Sequence, residues 1–341
     1  MRRSFRLATS ALLLGALACM IPLSATAQSF PNRPVELVVG YPPGGTGDVI
    51  ARLIAGPLSA SLGQPTRVEN RSGASGAVGT RVVARAAADG HTLLIGQTAE
   101  IVANPILMKD AGYDPVRDLQ PVAFLAMVPV VLAVPASAPY ANVQQMLAAA
   151  RASKRGLTFA SGGPGTTGHL AGELLRLRTQ ARLIHVPADG ANAALNELLD
   201  GRVDMYFAPY PLVINPIKDG KLKLLATAST KRILVDPTLP TVAEETGIRS
   251  FDIIAWVGVF APRGTPNDIV MRLNRDINQA LAQPEVRQKF VADGVEVVPM
   301  SIGQFEEFAR AEGRRYAELL NEDFCSRVFY GGCEGFSAGV Q

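Results

Sequence analysis

The sequence predicts an α/β protein with largely parallel sheets, divided into two domains. Apolar runs rich in β-branched residues alternate with segments whose apolar residues recur every three or four positions, a pattern typical of strands and amphipathic helices. The chain has 341 residues, of which 48% are hydrophobic and 18% are charged, so it can bury more core than one domain usually holds. No low-complexity linker divides the chain, so domain boundaries must be inferred from pattern.

Strand-like and helix-like runs follow one another along the chain. The strand-like runs, in chain order, are VELVVG, HTLLIG, PVVLAV, LTFAS, ARLIHV, VDMYFA, LKLLATA and WVGVFAP. The helical stretches between them include VIARLIAGPLSASL, VQQMLAAARAS, HLAGELLRL, AALNELLDG and DIVMRLNRDINQALAQ. This alternation predicts units in which helices connect parallel strands of one sheet.

Residues 1–27 have the pattern of a secretory signal peptide. Three arginines precede an apolar stretch that ends on the small residues Ala25 and Ala27, which predicts cleavage after Ala27. A membrane anchor is the alternative, but the stretch is short and broken by Pro22, below the roughly 18 apolar residues of a spanning helix. Lipid attachment at Cys19 is disfavoured because the apolar run continues past it. We therefore expect export to the periplasm.

The charge balance disfavours one class of partner. Cleavage would remove three of the 33 basic residues and none of the 30 acidic ones, which leaves the mature chain neutral. A nucleic-acid-binding protein normally carries a basic face, so we expect no nucleic acid partner. A small anionic ligand stays compatible, because it needs only local donors. Cys325 and Cys333 lie in a glycine-rich tail, where a disulfide and two free thiols are both open.

Two stretches share one plan, in which an apolar strand leads through a Gly/Pro loop with threonine into an amphipathic helix. They are ELVVGYPPGGTGDVIARLI at 36–54 and LTFASGGPGTTGHLAGELL at 157–175. A helix start offers unpaired N–H groups and the positive end of its dipole, and glycines let a ligand approach the backbone. Facing each other, the two loops predict a clamp for an anion. A third glycine-rich turn, NRSGASGAVGTRVVARA, opens a helix at about Ala77 and is interpreted as a packing turn.

The second loop also contains a formal G-x-G-x-x-G motif from Gly163 to Gly168. The motif follows a strand and opens a helix, and Asp189 lies about where a ribose-binding acid is expected. Dinucleotide binding is nevertheless disfavoured, because the motif lies deep in the chain and an exported protein meets little nicotinamide cofactor. The first loop has the same plan without the motif. We expect no cofactor.

The sequence lacks the usual signatures of catalysis. It contains no P-loop, H-E-x-x-H, C-x-x-C or G-x-S-x-G motif. His91 and His185 are interpreted as structural residues, whereas His169, in the first turn of the second loop's helix, either faces an anion or braces the loop. Asp48, in the first turn of the first helix, stabilises the helix start, holds the loop open or accepts a hydrogen bond from a ligand. Without a nucleophile or a metal-ligand set, we expect neither an enzyme nor a metal site.

The chain resembles the periplasmic substrate-binding proteins of tripartite tricarboxylate transporters, the Bug family, from about Phe30 to Leu320. The motifs that carry the resemblance are YPPGGTGD, VENRSGASGAVGTRVVARAAADGHTLL, ASGGPGTTGHLAGELL, HVPADGANAALNELLDGRVDM, LPTVAEETGI and WVGVFAPRGTPNDIVMRLN. The resemblance implies a two-domain periplasmic-binding-protein (Venus flytrap) fold of type II. It implies a discontinuous first domain at 30–129 plus 250–322 and a second domain at 130–249, while the tail at 323–341 is atypical of the family.

The resemblance also implies a site, in which loop amides, hydroxyls and ordered waters grip a ligand carboxylate between the domains. In the first domain these contacts fall on Tyr41, Gly44, Gly45, Thr46 and Asp48, with Thr98 and Asn104 as weaker candidates. In the second domain they fall on Ser161, Gly162, Gly165, Thr166, Thr167 and His169.

Before Gly190 the chain departs from the family pattern, because Ala188 and Asp189 stand where the family usually has Tyr and a basic or polar residue followed by Gly. Ala208 also replaces a common acid. If Asp189 points into the cleft, it favours a ligand whose far end is neutral or amine-bearing; the alternative is that it starts the next helix.

The sequence as a whole predicts a solute-binding protein. We expect it to be a monomer that captures a small carboxylate for membrane transporter subunits. The alternative is an extracytoplasmic α/β enzyme or a sensor acting on a similar acid.

Overall fold

The structure is a computed structural model that describes residues 30–108 and 110–328. The predicted signal peptide, Cys19, Cys333 and the end of the tail lie outside the described residues. Cleavage after Ala27 therefore stays a prediction, and whether Cys325 and Cys333 form a disulfide stays open.

The described residues form two five-stranded sheets, ordered β2-β1-β3-β10-β4 and β7-β6-β8-β5-β9. Each sheet has parallel strands at one side and one antiparallel strand, β10 in the first and β5 in the second. The strands are β1 (Val35–Val39), β2 (Thr66–Asn70), β3 (Thr92–Gln97), β4 (Leu119–Val128), β5 (Val130–Pro135), β6 (Leu157–Ser161), β7 (Leu183–Pro187), β8 (Met205–Pro209), β9 (Leu222–Thr227) and β10 (Ala255–Pro262).

Helices connect the strands and pack on the sheets. The α-helices are α1 (Thr46–Leu62), α2 (Ala77–Ala84), α3 (Asn104–Leu107), α4 (Pro115–Asp118), α5 (Val143–Ala152), α6 (Thr167–Thr179), α7 (Ala191–Leu199), α8 (Tyr210–Lys218), α9 (Val242–Thr246), α10 (Asn267–Ala282), α11 (Pro284–Ala292), α12 (Ile302–Leu319) and α13 (Glu322–Val328). A π-helix at Ala99–Ala103 precedes α3. Within the described residues, no helix combines the length and the apolar character needed to cross a membrane.

Strand periodicity explains how the first sheet is buried on both faces. Leu37 and Val39 of β1 belong to a core cluster that contains side chains of α1 and α10, whereas Val38 between them belongs to the cluster on the opposite face. Successive side chains of a strand point to opposite faces, so a strand covered on both sides is apolar throughout. This is why VELVV was recognisable in the sequence as a strand.

Two strands, β2 and β4, were absent from the predicted runs. They form the two opposite edges of the first sheet. β2 is the polar run TRVEN and is only partly buried. β4 contains Pro121, which lacks an N–H group and is tolerated in an edge strand. Both patterns are therefore weaker sequence signals than the continuous apolar runs of the central strands.

The chain crosses from the first sheet to the second and later returns to the first. Val128 ends β4 and pairs with Ala255 of β10, and after Pro129 the chain enters β5 of the second sheet, where Val130 pairs with Pro209. The return crossing leads into β10, so the antiparallel strand of each sheet follows directly after a crossing.

Candidate functional site

The site lies where strand ends of the two sheets face each other. β1 ends at Val39 and β6 at Ser161, and each continues through a glycine loop into a helix. Parallel strands of one sheet end at the same edge, which brings the loops that follow them together. Between the two sets of loops lies a cavity of about 90 Å³. A space of this size holds several water molecules or a small acid.

Four helices begin at this cavity without a side-chain cap on their first N–H groups. One is α8, which has Pro209 as its N-cap and a second proline in its first turn, and the other three are α1, α6 and α7. Their N-cap residues are Gly45 for α1, Thr166 for α6 and Gly190 for α7. Side chains cap α5, α9 and α12, whereas α2, α10 and α11, which also begin away from the cavity, have no side-chain cap. The first N–H groups of α1, α6 and α7 are therefore donors without an intrahelical partner beside a cavity, where the helix dipoles also favour negative charge.

The first glycine loop is held from behind by Asp48. Gly44, at φ +81°, donates its N–H to Asp48 Oδ2 at 2.8 Å, and Asn70 Nδ2 donates to Oδ1 at 2.9 Å. Arg52 forms an ion pair with the same carboxylate at 2.9 Å. Burial opposes ionisation of Asp48, but the hydrogen bonds from Arg52, Gly44 and Asn70 outweigh it and hold its pKa below the usual value. Asp48 is buried and does not line the cavity, so it braces the loop.

The second glycine loop is braced in the same way by two histidines. Gly165, at φ +82°, donates its N–H to His169 Nδ1 at 3.0 Å. Ser161 Oγ lies 2.6 Å from His185 Nε2 and accepts the N–H of Gly163 at 3.1 Å. Desolvation lowers the pKa of His169 to about 3 and that of His185 to about 4, so both rings are neutral. His169 does not line the cavity, and of its two predicted roles the geometry supports loop bracing.

Sequence reasoning missed Glu100, which lies in the π-helix after β3 and is completely buried. Tyr41 Oη lies 2.9 Å from Glu100 Oε2, and the N–H of Gln97 donates to Oε1 at 2.9 Å. Burial raises the pKa of Glu100 to about 8, against the opposing effect of these hydrogen bonds. Tyr41 Oη also lies 3.0 Å from the carbonyl oxygen of Ser75, so a neutral Glu100 can donate to Tyr41 while Tyr41 donates to Ser75. The sequence feature that could have identified Glu100 is the presence of a single acidic residue in the otherwise uncharged run IGQTAEIVANPIL.

Thr98 and Asn104, the weaker candidates, have different positions. Thr98 lines the cavity, and its Oγ1 accepts the N–H of Trp256 at 2.9 Å, which ties the end of β3 to β10. Asn104 is buried outside the cavity wall and donates from Nδ2 to the carbonyl oxygen of Ser75 at 2.9 Å.

The third glycine-rich turn opens α2 at Ala77, as the sequence predicted, and it also contributes a surface to the cleft. Together with both glycine loops it lines a second cavity of about 290 Å³. Ser75 in this turn has φ +49°, a left-handed conformation that is costly for a residue with a side chain. Its Oγ donates to the carbonyl oxygen of Pro164 at 2.6 Å. A packing role alone therefore does not describe the turn.

Asp189 is exposed and lies in the wall of both cavities. Gly190 is the N-cap of α7, and the helix has no side-chain cap, so Asp189 does not cap it.

The predicted site residues divide into those that line the 90 Å³ cavity and those that brace its wall. The lining ones are Tyr41, Gly45, Thr46, Thr98, Gly162, Thr166, Thr167 and Asp189. Gly44, Asp48, Ser161, Gly165 and His169 lie outside the lining. Sequence reasoning missed the lining residues Pro42, Gln97, Ala99, Gly168, Gly190, Ala191, Asn192, Tyr206, Pro209, Ala255 and Val257. Part of this set was recognisable, because PADGANAA, like the two loops, places glycine before a helix.

The arrangement suits a small anion better than a metal or a dinucleotide. Among residues 30–108 and 110–328, no three His, Cys, Asp or Glu side chains lie close enough together to hold a metal ion. Residues of the G-x-G-x-x-G motif line the two cavities of about 90 Å³ and about 290 Å³, which lie at or below the lower end of the roughly 300 to 1,000 Å³ of pockets for large organic ligands.

Comparisons with known proteins agree with this geometry. The protein BugT of Bordetella pertussis is 36% identical over 303 residues, which cover 89% of this chain and 93% of BugT. The solved structure of R. palustris Rpa4515 with adipate superposes with a TM-score of 0.81 at 35% identity, covering 85% of this chain and 97% of that one. MatC (Rpa3494) from Rhodopseudomonas palustris with bound malate has a TM-score of 0.80 at 32% identity, covering 86% and 100%.

A family model described as "Tripartite tricarboxylate transporter family receptor" matches residues 50–323. The match spans most of the chain, and the structural similarity extends over both domains of solved periplasmic binding proteins. The predicted α/β two-domain fold and the predicted family are thereby confirmed. The chain belongs to the tripartite tricarboxylate transporter receptor family of solute-binding proteins.

Proposed function

We propose that this protein captures one small carboxylate in the 90 Å³ cavity between its sheets and delivers it to the membrane subunits of a tripartite transporter. The observation that carries the proposal is the convergence of α1, α6 and α7, whose first N–H groups no side chain caps. No Lys or Arg lines the cavity, so the backbone supplies the positive potential. A hydrogen bond to a charged group contributes about 1.5 to 3 kcal/mol, so a few such bonds suffice for tight binding.

Two relatives support a carboxylate as the ligand class, because adipate is bound in Rpa4515 and malate in MatC. The family and its structural neighbours are binding proteins, and we propose that this chain likewise releases its ligand unchanged. We further propose that it acts in the periplasm as a monomer, after removal of residues 1–27 and without a nucleic acid partner. Closure of a domain at 30–129 plus 250–322 onto one at 130–249 would exclude water and strengthen the amide contacts.

Proline substitution at the first residue of α6 tests whether a backbone N–H group at this helix start donates a hydrogen bond to the ligand. Thr166 has φ −67° and ψ 157°, which suits a residue before proline, and proline is favoured at the first position of a helix. Thr167→Pro should therefore fold while losing one N–H group, whereas Thr167→Ala keeps that group and loses only the hydroxyl. Asn267→Pro makes the same change at the exposed start of α10, outside the cavity.

The measurement is calorimetric titration with small mono- and dicarboxylates and their amides. Thr167→Pro should weaken carboxylate binding about 10- to 100-fold, as expected for one hydrogen bond to a charge. Asn267→Pro should bind like the wild type. Equal affinity for acids and amides, or unchanged affinity in Thr167→Pro, would contradict the backbone clamp. Chemical conversion of a bound acid would contradict the binding-protein function.

A further inference from the structure

We propose that Asp189 makes this protein selective for small carboxylates whose far end carries an amine, and that it disfavours dicarboxylates. The proposal rests on the function proposed above and specifies its ligand class. It starts from the position of Asp189 in the wall that the 90 Å³ and 290 Å³ cavities share. The other residues common to both walls are Tyr41, Pro42, Gly162 and Gly190.

This shared wall is where the far end of a bound acid would pass. A carboxylate held by the starts of α1, α6 and α7 occupies the smaller cavity, whose volume leaves little room beyond a short chain. A longer ligand extends toward the larger neighbouring cavity, which the turn containing Ser75 and the loop containing Pro164 also line. Because Asp189 lies in the wall of both cavities, a far-end group placed where the cavities adjoin would come within its reach.

Asp189 is the only charged residue among those that line either cavity. It forms no hydrogen bond or ion pair with any residue in the described part of the chain, and it is exposed. Asp48 and Glu100, the buried acids near the site, both accept hydrogen bonds that hold a loop or a strand end. The carboxylate of Asp189 thus has no structural partner, which leaves it available to a ligand.

The sign of the interaction follows from charge alone. An ammonium group near Asp189 is attracted and a second carboxylate is repelled. For a pair of unit charges about 4 Å apart in water-like surroundings, each effect changes affinity about fivefold. The affinity for the acid with an ammonium far group should therefore exceed the affinity for the dicarboxylate at least about tenfold. Added salt should reduce this ratio.

The test uses three acids of equal chain length that differ only at the far group, for example pentanoate (methyl), 4-aminobutanoate (ammonium) and glutarate (carboxylate). The same three far groups are also compared on acids of neighbouring chain lengths. Binding of each acid to the full mature protein is measured by calorimetry. Wild type should bind the ammonium acid at least about tenfold more tightly than the dicarboxylate. Asp189→Asn should remove most of this preference, and Asp189→Lys should reverse it.

Asp200→Asn is the matched control. Asp200 is the exposed C-cap of α7, so this variant removes the same charge from the opposite end of the same helix. It should keep the wild-type preference, and thermal unfolding should show that Asp189→Asn is as stable as the wild type.

The outcomes separate the inference from the function on which it rests. A wild type that binds dicarboxylates as tightly as ammonium acids, or a preference that Asp189→Asn and Asp189→Lys leave unchanged, overturns the selectivity alone. If no acid of any length binds, the carboxylate-binding function fails and the inference fails with it.

Discussion

Ser75 Oγ donates a hydrogen bond to the carbonyl oxygen of Pro164 at 2.6 Å and so joins the turn before α2 to the loop before α6. The two residues are 89 positions apart and follow strands of different sheets, β2 and β6. Tyr41 and Asn104 hold Ser75 in place by contacting its carbonyl oxygen at 3.0 and 2.9 Å. The turn is therefore held in place on its own side of the cleft, and its bond to Pro164 links the two sides.

Ser75→Ala should weaken ligand binding without unfolding the protein. The substitution keeps the backbone of the turn and removes one hydroxyl hydrogen bond between the two sides of the cleft, worth about 0.5 to 1.5 kcal/mol. We expect about a 2- to 10-fold loss of affinity, mostly through faster dissociation. Stopped-flow kinetics measures the rates, and small-angle scattering with and without ligand measures compaction. Ser61→Ala, at an exposed position of α1, is the control. Wild-type dissociation in Ser75→Ala would show that this bond does not hold the cleft.

Gly45→Val and Gly165→Val should affect binding and stability differently. A Cβ atom on Gly45 would meet no atom closer than 3.5 Å, and Gly45 lines the cavity, so valine there should abolish binding at little cost in stability. Gly165 has φ +82° and lies outside the lining, and a Cβ would come within 3.2 Å of Leu107. Valine at this position should cost about 1 to 3 kcal/mol of unfolding free energy.

The measurements for this pair are urea denaturation and calorimetric titration. Wild-type affinity in Gly45→Val would contradict the placement of the ligand beside the start of α1. Wild-type stability in Gly165→Val would contradict the strain expected at that position.

The buried carboxyl of Glu100 should make the stability of the protein depend on pH. Burial raises its pKa in the folded state to about 8, whereas the ordinary value is 4.5. Between these values the folded state holds a proton that the unfolded state releases, so the free energy of unfolding falls as pH rises from about 5 to about 8. Glu100→Gln removes this titration and should show a flatter profile over the same range.

Urea denaturation at pH 5, 6, 7 and 8 for both proteins tests the prediction. The decrease in stability with pH should be larger for the wild type than for Glu100→Gln. Parallel profiles for the two proteins would mean that Glu100 titrates alike in the folded and unfolded states.

Several features of the protein were determined by short stretches of its sequence. The strand, glycine loop and helix at 36–54 and at 157–175 form as predicted, and the turn near Ala77 opens α2. These features depend on side-chain periodicity and on backbone conformations within about ten neighbouring residues, so a local pattern is sufficient to identify them. The several family motifs, in order along the chain, likewise identified the family.

The roles of individual site residues were decided only by the tertiary structure. Glu100 meets Tyr41 across 59 residues and Ser75 meets Pro164 across 89, and no local pattern encodes such pairings. Asp48 and His169 have residue types suited to ligand contact, yet the loops fold over them and turn them into braces. The start of α7 became a third side of the cavity because the second sheet places β7 beside β6. Which group faces a cavity depends on how distant elements pack, and that packing is a property of the whole chain rather than of any segment.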